Sequence, residues 1–89
     1  AEEAGPYNIT VNTIAPGPVH GERMTEVIRR RAVEMGLPFE EVERQFVGPA
    51  ALKRMVDEED IAATALFLAS DDAGNITGET LTVSAGYRL

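Results

Sequence analysis

Cysteine and tryptophan are absent from this 89-residue chain, and histidine occurs once, at His20. Without cysteine there is no disulfide staple and no thiolate metal site. One imidazole excludes a cage of several histidines, and the carboxylates show no spaced cluster such as an EF-hand loop. No metal ligand is therefore assigned. Long apolar runs are missing as well. The longest, residues 61–69, is broken by Thr64 and is far too short to span a bilayer. The acidic start, Ala1-Glu2-Glu3-Ala4-Gly5, lacks the apolar core of a signal peptide. A soluble, cytoplasmic chain without a membrane partner is expected. Basic charge is scarce too: eight Lys and Arg stand against fifteen Asp and Glu, a net charge of -7. Nucleic-acid affinity draws largely on Lys and Arg releasing counterions, so no nucleic-acid partner is expected. The one dense basic run, Arg29-Arg30-Arg31, reads as a solvated helix face, or as a contact for a 2′-phosphate or an acidic substrate.

What is present fits one small domain. A chain this short buries only about 60–65% of the surface it exposes when unfolded, so its stability margin is thin. Gly5 followed by Pro6 reads as the left-handed end of a helix. From about 8 to 15, β-branched and polar residues alternate as in a strand, and Pro16-Gly17-Pro18 stops it. A helical insertion follows over about 22–47. Its first part carries Met24, Val27, Ile28 and Met35 at three- and four-residue spacing, and Gly36 and Pro38 end it. A shorter helix then has Phe39, Val42 and Phe46 on one side. Asp57 is a good N-cap for a helix over about 58–70, and Glu58, Glu59 and Asp60 suit its dipole. That helix is apolar nearly all round, which predicts burial on more than one side. Residues 80–84 alternate again as a strand.

Two strands separated by helices predict a βαβ crossover, and parallel neighbours require such a long connection. The insertion rises from the carboxyl end of the first strand, where open α/β sheets bind ligands. It reads as a lid. Its apolar stripe either faces a substrate or packs on the second lid helix and the sheet.

Three segments in order resemble one family. Asn8-Ile9-Thr10-Val11-Asn12-Thr13-Ile14-Ala15-Pro16-Gly17-Pro18-Val19 is similar to the penultimate-strand signature of the short-chain dehydrogenases/reductases. Leu52-Lys53-Arg54-Met55 with Glu59-Asp60-Ile61-Ala62 resembles their lead-in to the last helix. Phe67-Leu68-Ala69-Ser70-Asp71, Ile76-Thr77-Gly78 and Leu81-Thr82-Val83 resemble the end of that helix and the last strand. The resemblance implies an α/β fold, the C-terminal part of a Rossmann-type doubly wound parallel sheet, with 1–89 as one portion of a single domain. It implies a role in an NAD- or NADP-dependent oxidoreductase that interconverts an alcohol and a carbonyl by hydride transfer.

It also implies cofactor contacts at Pro16, Gly17, Pro18, Val19 and Gly21, with backbone groups of Val19 offered to the nicotinamide carboxamide. Met24, Val27 and Ile28 would form the substrate lid. The helix over 61–69 and the strand over 81–83 would contact a second copy in a homo-oligomer. Two positions depart from the pattern. Gly21 stands where many relatives carry a threonine that contacts the cofactor, and Ser84-Ala85-Gly86 replaces a frequent Asp-Gly-Gly. The family's catalytic tyrosine with a lysine four residues on is not in this chain: Tyr7 has Val11 there, and Tyr87 is too near the end. No glycine-rich dinucleotide turn is present either. No catalytic residue is assigned, and the chain alone is expected to be inactive. The alternative is a catalytically inactive, truncated chain acting only as an association module. Asn12 is read as a polar side chain satisfied by backbone, and His20 as a lone imidazole beside the proposed cofactor turn.

Overall fold

The computed structural model describes residues 1–87. Two four-residue strands, β1 (Thr13–Pro16) and β2 (Thr80–Val83), pair in parallel with Thr13 opposite Thr80 and Pro16 opposite Val83. Between them run α1 (Glu22–Met35), α2 (Phe39–Val47) and α3 (Glu58–Leu68). The molecule measures 56 × 21 × 21 Å, because α1 and α2 extend away from the strand pair instead of covering it.

β1 is shorter than the alternation over 8–15 predicts. Pairing requires a partner, and the partner turns away at residues 76–78. There the contacts pass to side chains and to the turn: Val11 N–H donates to Thr77 Oγ1 at 3.0 Å, and Gly78 N–H donates to Val11 O at 2.8 Å. Asn12 holds this turn from both sides. Its Nδ2 donates to Ile76 O at 3.0 Å and its Oδ1 accepts from Glu79 N–H at 3.1 Å. At the other end the strand takes in Pro16. Thr13 and Gly17 donate to Glu79 O and Val83 O, so odd-numbered residues face β2. Pro16 thus lacks an N–H only on the opposite edge, where a proline is tolerated. Among the described residues no strand pairs with that edge.

The left-handed turn expected at Gly5 falls instead on Asn8. Residues Gly5–Tyr7 form a 3-10 turn, and Asn8 closes it with φ 58° and an N–H to Gly5 O. Asparagine tolerates this conformation because its short amide bonds locally.

The largest fully buried side chains, Ile28 and Val42, lie in α1 and α2. They pack with Ala32 and Met55, and Met24, Leu37, Phe39, Phe46 and Val47 close around them. The arginine run sits on the outer face: Arg29 pairs with Glu26 at 2.8 Å, and Arg31 lies 5.1 Å from the centre of the Phe46 ring. α1 and α2 therefore carry their own core, closed by Met55 of the connector, residues 48–57, that follows them.

That connector is stitched at two points. Val19 bridges Val56, with His20 N–H to Val56 O at 2.8 Å and Val56 N–H to Pro18 O at 3.0 Å. Ala50 bridges Tyr87, with Ala51 N–H to Gly86 O at 3.2 Å and Leu52 N–H to Ala85 O at 2.9 Å. Ala50, Met55 and Val56 are buried as a result.

α3 starts as its sequence predicts. Asp57 N–H donates to Asp60 Oδ2 at 2.8 Å, and three acids fill the first turn. Its burial does not follow its composition. α3 packs on β1 through the side bearing Ile61, Thr64 and Leu68, which are half-buried, and none of its residues is buried. Leu66 is 75% exposed, and Ala62, Ala65 and Phe67 are exposed with it. A periodicity records that a face is apolar; the neighbour that covers it need not belong to the same chain.

Ala85 has φ 54°, a left-handed conformation that costs a residue with a Cβ about 1–2 kcal/mol. Ala85→Gly removes that strain and adds unfolded-state freedom worth about 0.4–1 kcal/mol. The net expectation is a gain of about 0.5–1 kcal/mol, read as a higher urea midpoint at unchanged slope. A lower midpoint counts against a strained Ala85.

Candidate functional site

The turn after β1 is built by close approach. A Cβ added to Gly17 would stand 2.7 Å from Ser84 Cβ and 2.9 Å from Ser84 Cα, so only glycine lets the two strands leave the ladder side by side. Gly17 N–H is taken by Val83 O at 3.0 Å. Pro16 and Pro18 have no N–H, and Pro18 O is taken by Val56.

Val19 is different. In its bridge to Val56 the bonds run through the flanking Pro18 O and His20 N–H. The N–H and C=O of Val19 itself project to the other side, and neither has a partner among the described residues. One donor and one acceptor are left together, which is what a primary amide requires. Gly21 caps α1, its carbonyl accepting Thr25 N–H at 2.9 Å.

Two clefts open at this point. The first, of about 590 Å³, is lined by residues 19–24 and 57–59. It lies where the N-terminal ends of α1 and α3 converge. Its wall carries Glu22, Asp57, Glu58 and Glu59 against a single cation, Arg23. The second, of about 410 Å³, lies between α2 and the connector and includes Glu40, Glu43, Arg44, Lys53 and Arg54. His20 borders both, and its Nδ1 lies 3.3 Å from Asp57 Oδ1. Nothing local in the sequence announces this pair, since thirty-seven positions separate its members.

The apolar stripe of α1 divides. Met24 is half-buried and lines the first cleft. Ile28, 1% exposed, belongs to the core between α1 and α2, while Val27 and Met35 are exposed. Among the described residues no three His, Cys, Asp or Glu side chains gather into a metal-binding group, and no helix is long and apolar enough to cross a membrane.

Known proteins resemble this chain in sequence and in fold. Residues 1–88 match the family described as enoyl-(acyl carrier protein) reductase. A diacetyl reductase [(S)-acetoin forming] of Staphylococcus aureus is 36% identical over 89 residues, which is 100% of this chain and 34% of the relative. The crystal structure of a short chain dehydrogenase family protein from Francisella tularensis superposes with TM-score 0.89 at 31% identity, over 98% of this chain and 36% of that one. YwfH, an NADPH dependent reductase involved in bacilysin biosynthesis, superposes with TM-score 0.84 at 30% identity, over 98% and 33%. The chain spans about a third of the length of these proteins.

Proposed function

The chain belongs to the short-chain dehydrogenase/reductase family, and from that premise we propose that it supplies the nicotinamide-side turn and the substrate lid of an NAD(P)-dependent alcohol–carbonyl oxidoreductase. Its α/β architecture is that of the carboxyl-terminal part of a Rossmann-type sheet. The observation that carries the reading is the open N–H and C=O of Val19, set by the Val19–Val56 bridge at the carboxyl end of a parallel strand pair. A nicotinamide held there would supply the hydride chemistry of an alcohol–carbonyl interconversion. The residues of this chain hold and shield: Val19 accepts from and donates to the carboxamide, Gly17 keeps the turn narrow, and Met24 closes one wall of the cleft. The bare Gly21 leaves its cofactor contact to backbone. Proton transfer has no candidate here of the tyrosine–lysine kind, so the chain alone is expected to turn over nothing.

Two measurements test this. In amide-resolved NMR, nicotinamide mononucleotide is expected to shift Val19 and its neighbours Gly17 and Gly21 more than any residue of α2. No response at Val19, or an equal response across the lid, sinks the reading. An assay with NADH or NADPH and a panel of ketones is expected to give no turnover above background.

A second reading is favoured by the outer face of α3. Ala62, Ala65, Leu66 and Phe67 are exposed together, and a chain can keep an association surface without chemistry. Light scattering separates the two: a stable dimer without any nicotinamide response at Val19 favours the association module.

A further inference from the structure

His20 forms the wall that both clefts share, and only one of its ring nitrogens is engaged. The Asp57 carboxylate, 3.3 Å from Nδ1, can only accept when ionised. In the neutral imidazole the proton therefore sits on Nδ1, and Nε2 keeps its lone pair. Nothing among the described residues donates to Nε2: the cations around the two clefts, Arg23, Arg44, Lys53 and Arg54, make no hydrogen bond to the ring. The pair is also held by backbone, because the His20 N–H bonds to Val56 O, one residue before Asp57. In its neutral form the ring thus keeps an acceptor with no donor among the described residues, on a side chain that lines the cleft next to Val19.

We propose that His20 is a specificity-determining residue whose Nε2 accepts a hydrogen bond from a substrate hydroxyl next to the reacting carbon. The site then prefers a hydroxyketone, or the corresponding diol, over a simple ketone. This rests on the nicotinamide lying at Val19. His20 is the next residue, with its Cα about 3.8 Å further on, and both line the same cleft, so a substrate that meets a nicotinamide at Val19 shares that cleft with the imidazole. Asp57 acts through His20, fixing the tautomer, and is a positioning residue.

Ring-nitrogen NMR of the chain tests the tautomer, with Nδ1 protonated and Nε2 bare as the expected result. Asp57→Asn is expected to lose that preference. Titrations with hydroxyacetone, methoxyacetone and acetone, each in the presence of nicotinamide mononucleotide, test the contact. Methylation removes only the donor. Hydroxyacetone is expected to bind about 2- to 10-fold more tightly than either analogue, the range of one partly exposed neutral hydrogen bond. His20→Gln, which keeps an acceptor, is expected to retain part of the preference, and His20→Phe to abolish it without disturbing the Val19 response. A protonated Nε2, or equal affinity for the three ketones, overturns the proposal. A preference for hydroxyacetone with no Val19 response to the mononucleotide overturns the cofactor placement instead, and leaves His20 as an acceptor serving some other ligand.

Discussion

Gly17→Ala is expected to destabilise the chain by about 3 kcal/mol, the sum of overpacking and the backbone shift needed to relieve it. The added methyl meets Ser84 at 2.7 and 2.9 Å, and one of those atoms is backbone. Neither side gives easily. Ser84 is buried with its hydroxyl toward Tyr87 O, and Gly17 is tied to Val83 O by its own N–H. Relief comes from spreading the ends of β1 and β2, which also tilts the open groups of Val19. The variant should show a large drop in urea midpoint and a weaker Val19 shift with nicotinamide mononucleotide. Gly5→Ala is the control, since nothing lies within 4 Å of a Cβ there. A Gly17→Ala chain as stable as the control shows that the close approach is not a constraint.

Ile28→Ala is expected to cost about 3 kcal/mol, within the usual span for emptying a fully buried aliphatic site. The loss should be local. Ile28 packs with Ala32, Val42 and Met55, and none of the residues of that core comes from β1, β2 or α3. Amide hydrogen exchange should therefore accelerate across α1 and α2 while β1 and β2 keep their protection, as separate cooperative units do. Equal acceleration in the strands would mean that lid and strand pair unfold as one body, against the independent core described above.

Much of the architecture is written in local pattern. Alternation marks Thr80–Val83, the acids after Asp57 mark the start of α3, and Asn12 is polar where a strand needs a backbone clamp. These signals are local because their causes are local: strand pleat, helix dipole, an amide's donor and acceptor. What was not legible depends on distant partners. β1 is cut to four residues by a turn more than sixty positions away. Ile28 and Val27 are neighbours in one apolar stripe, yet only Ile28 is covered, because α2 and Met55 meet one side of α1. The resemblance alone singles out the backbone of Val19; its physical cause, the bridge to Val56 that leaves that N–H and C=O without a partner among the described residues, is made by a residue thirty-seven positions on. The pairing of His20 with Asp57 follows from the same bridge.

The two stitches that hold the connector have a consequence for how substrate range can change. Both are made by backbone groups, so they place few demands on the side chains between them. A different pair of helices between Gly21 and Ala50 would leave both sets of backbone bonds in place, provided that it still covers Met55. On the function proposed above, selectivity would then reside in a replaceable segment whose one side-chain tie to its handle is the packing of Met55 on Ile28, Ala32 and Val42.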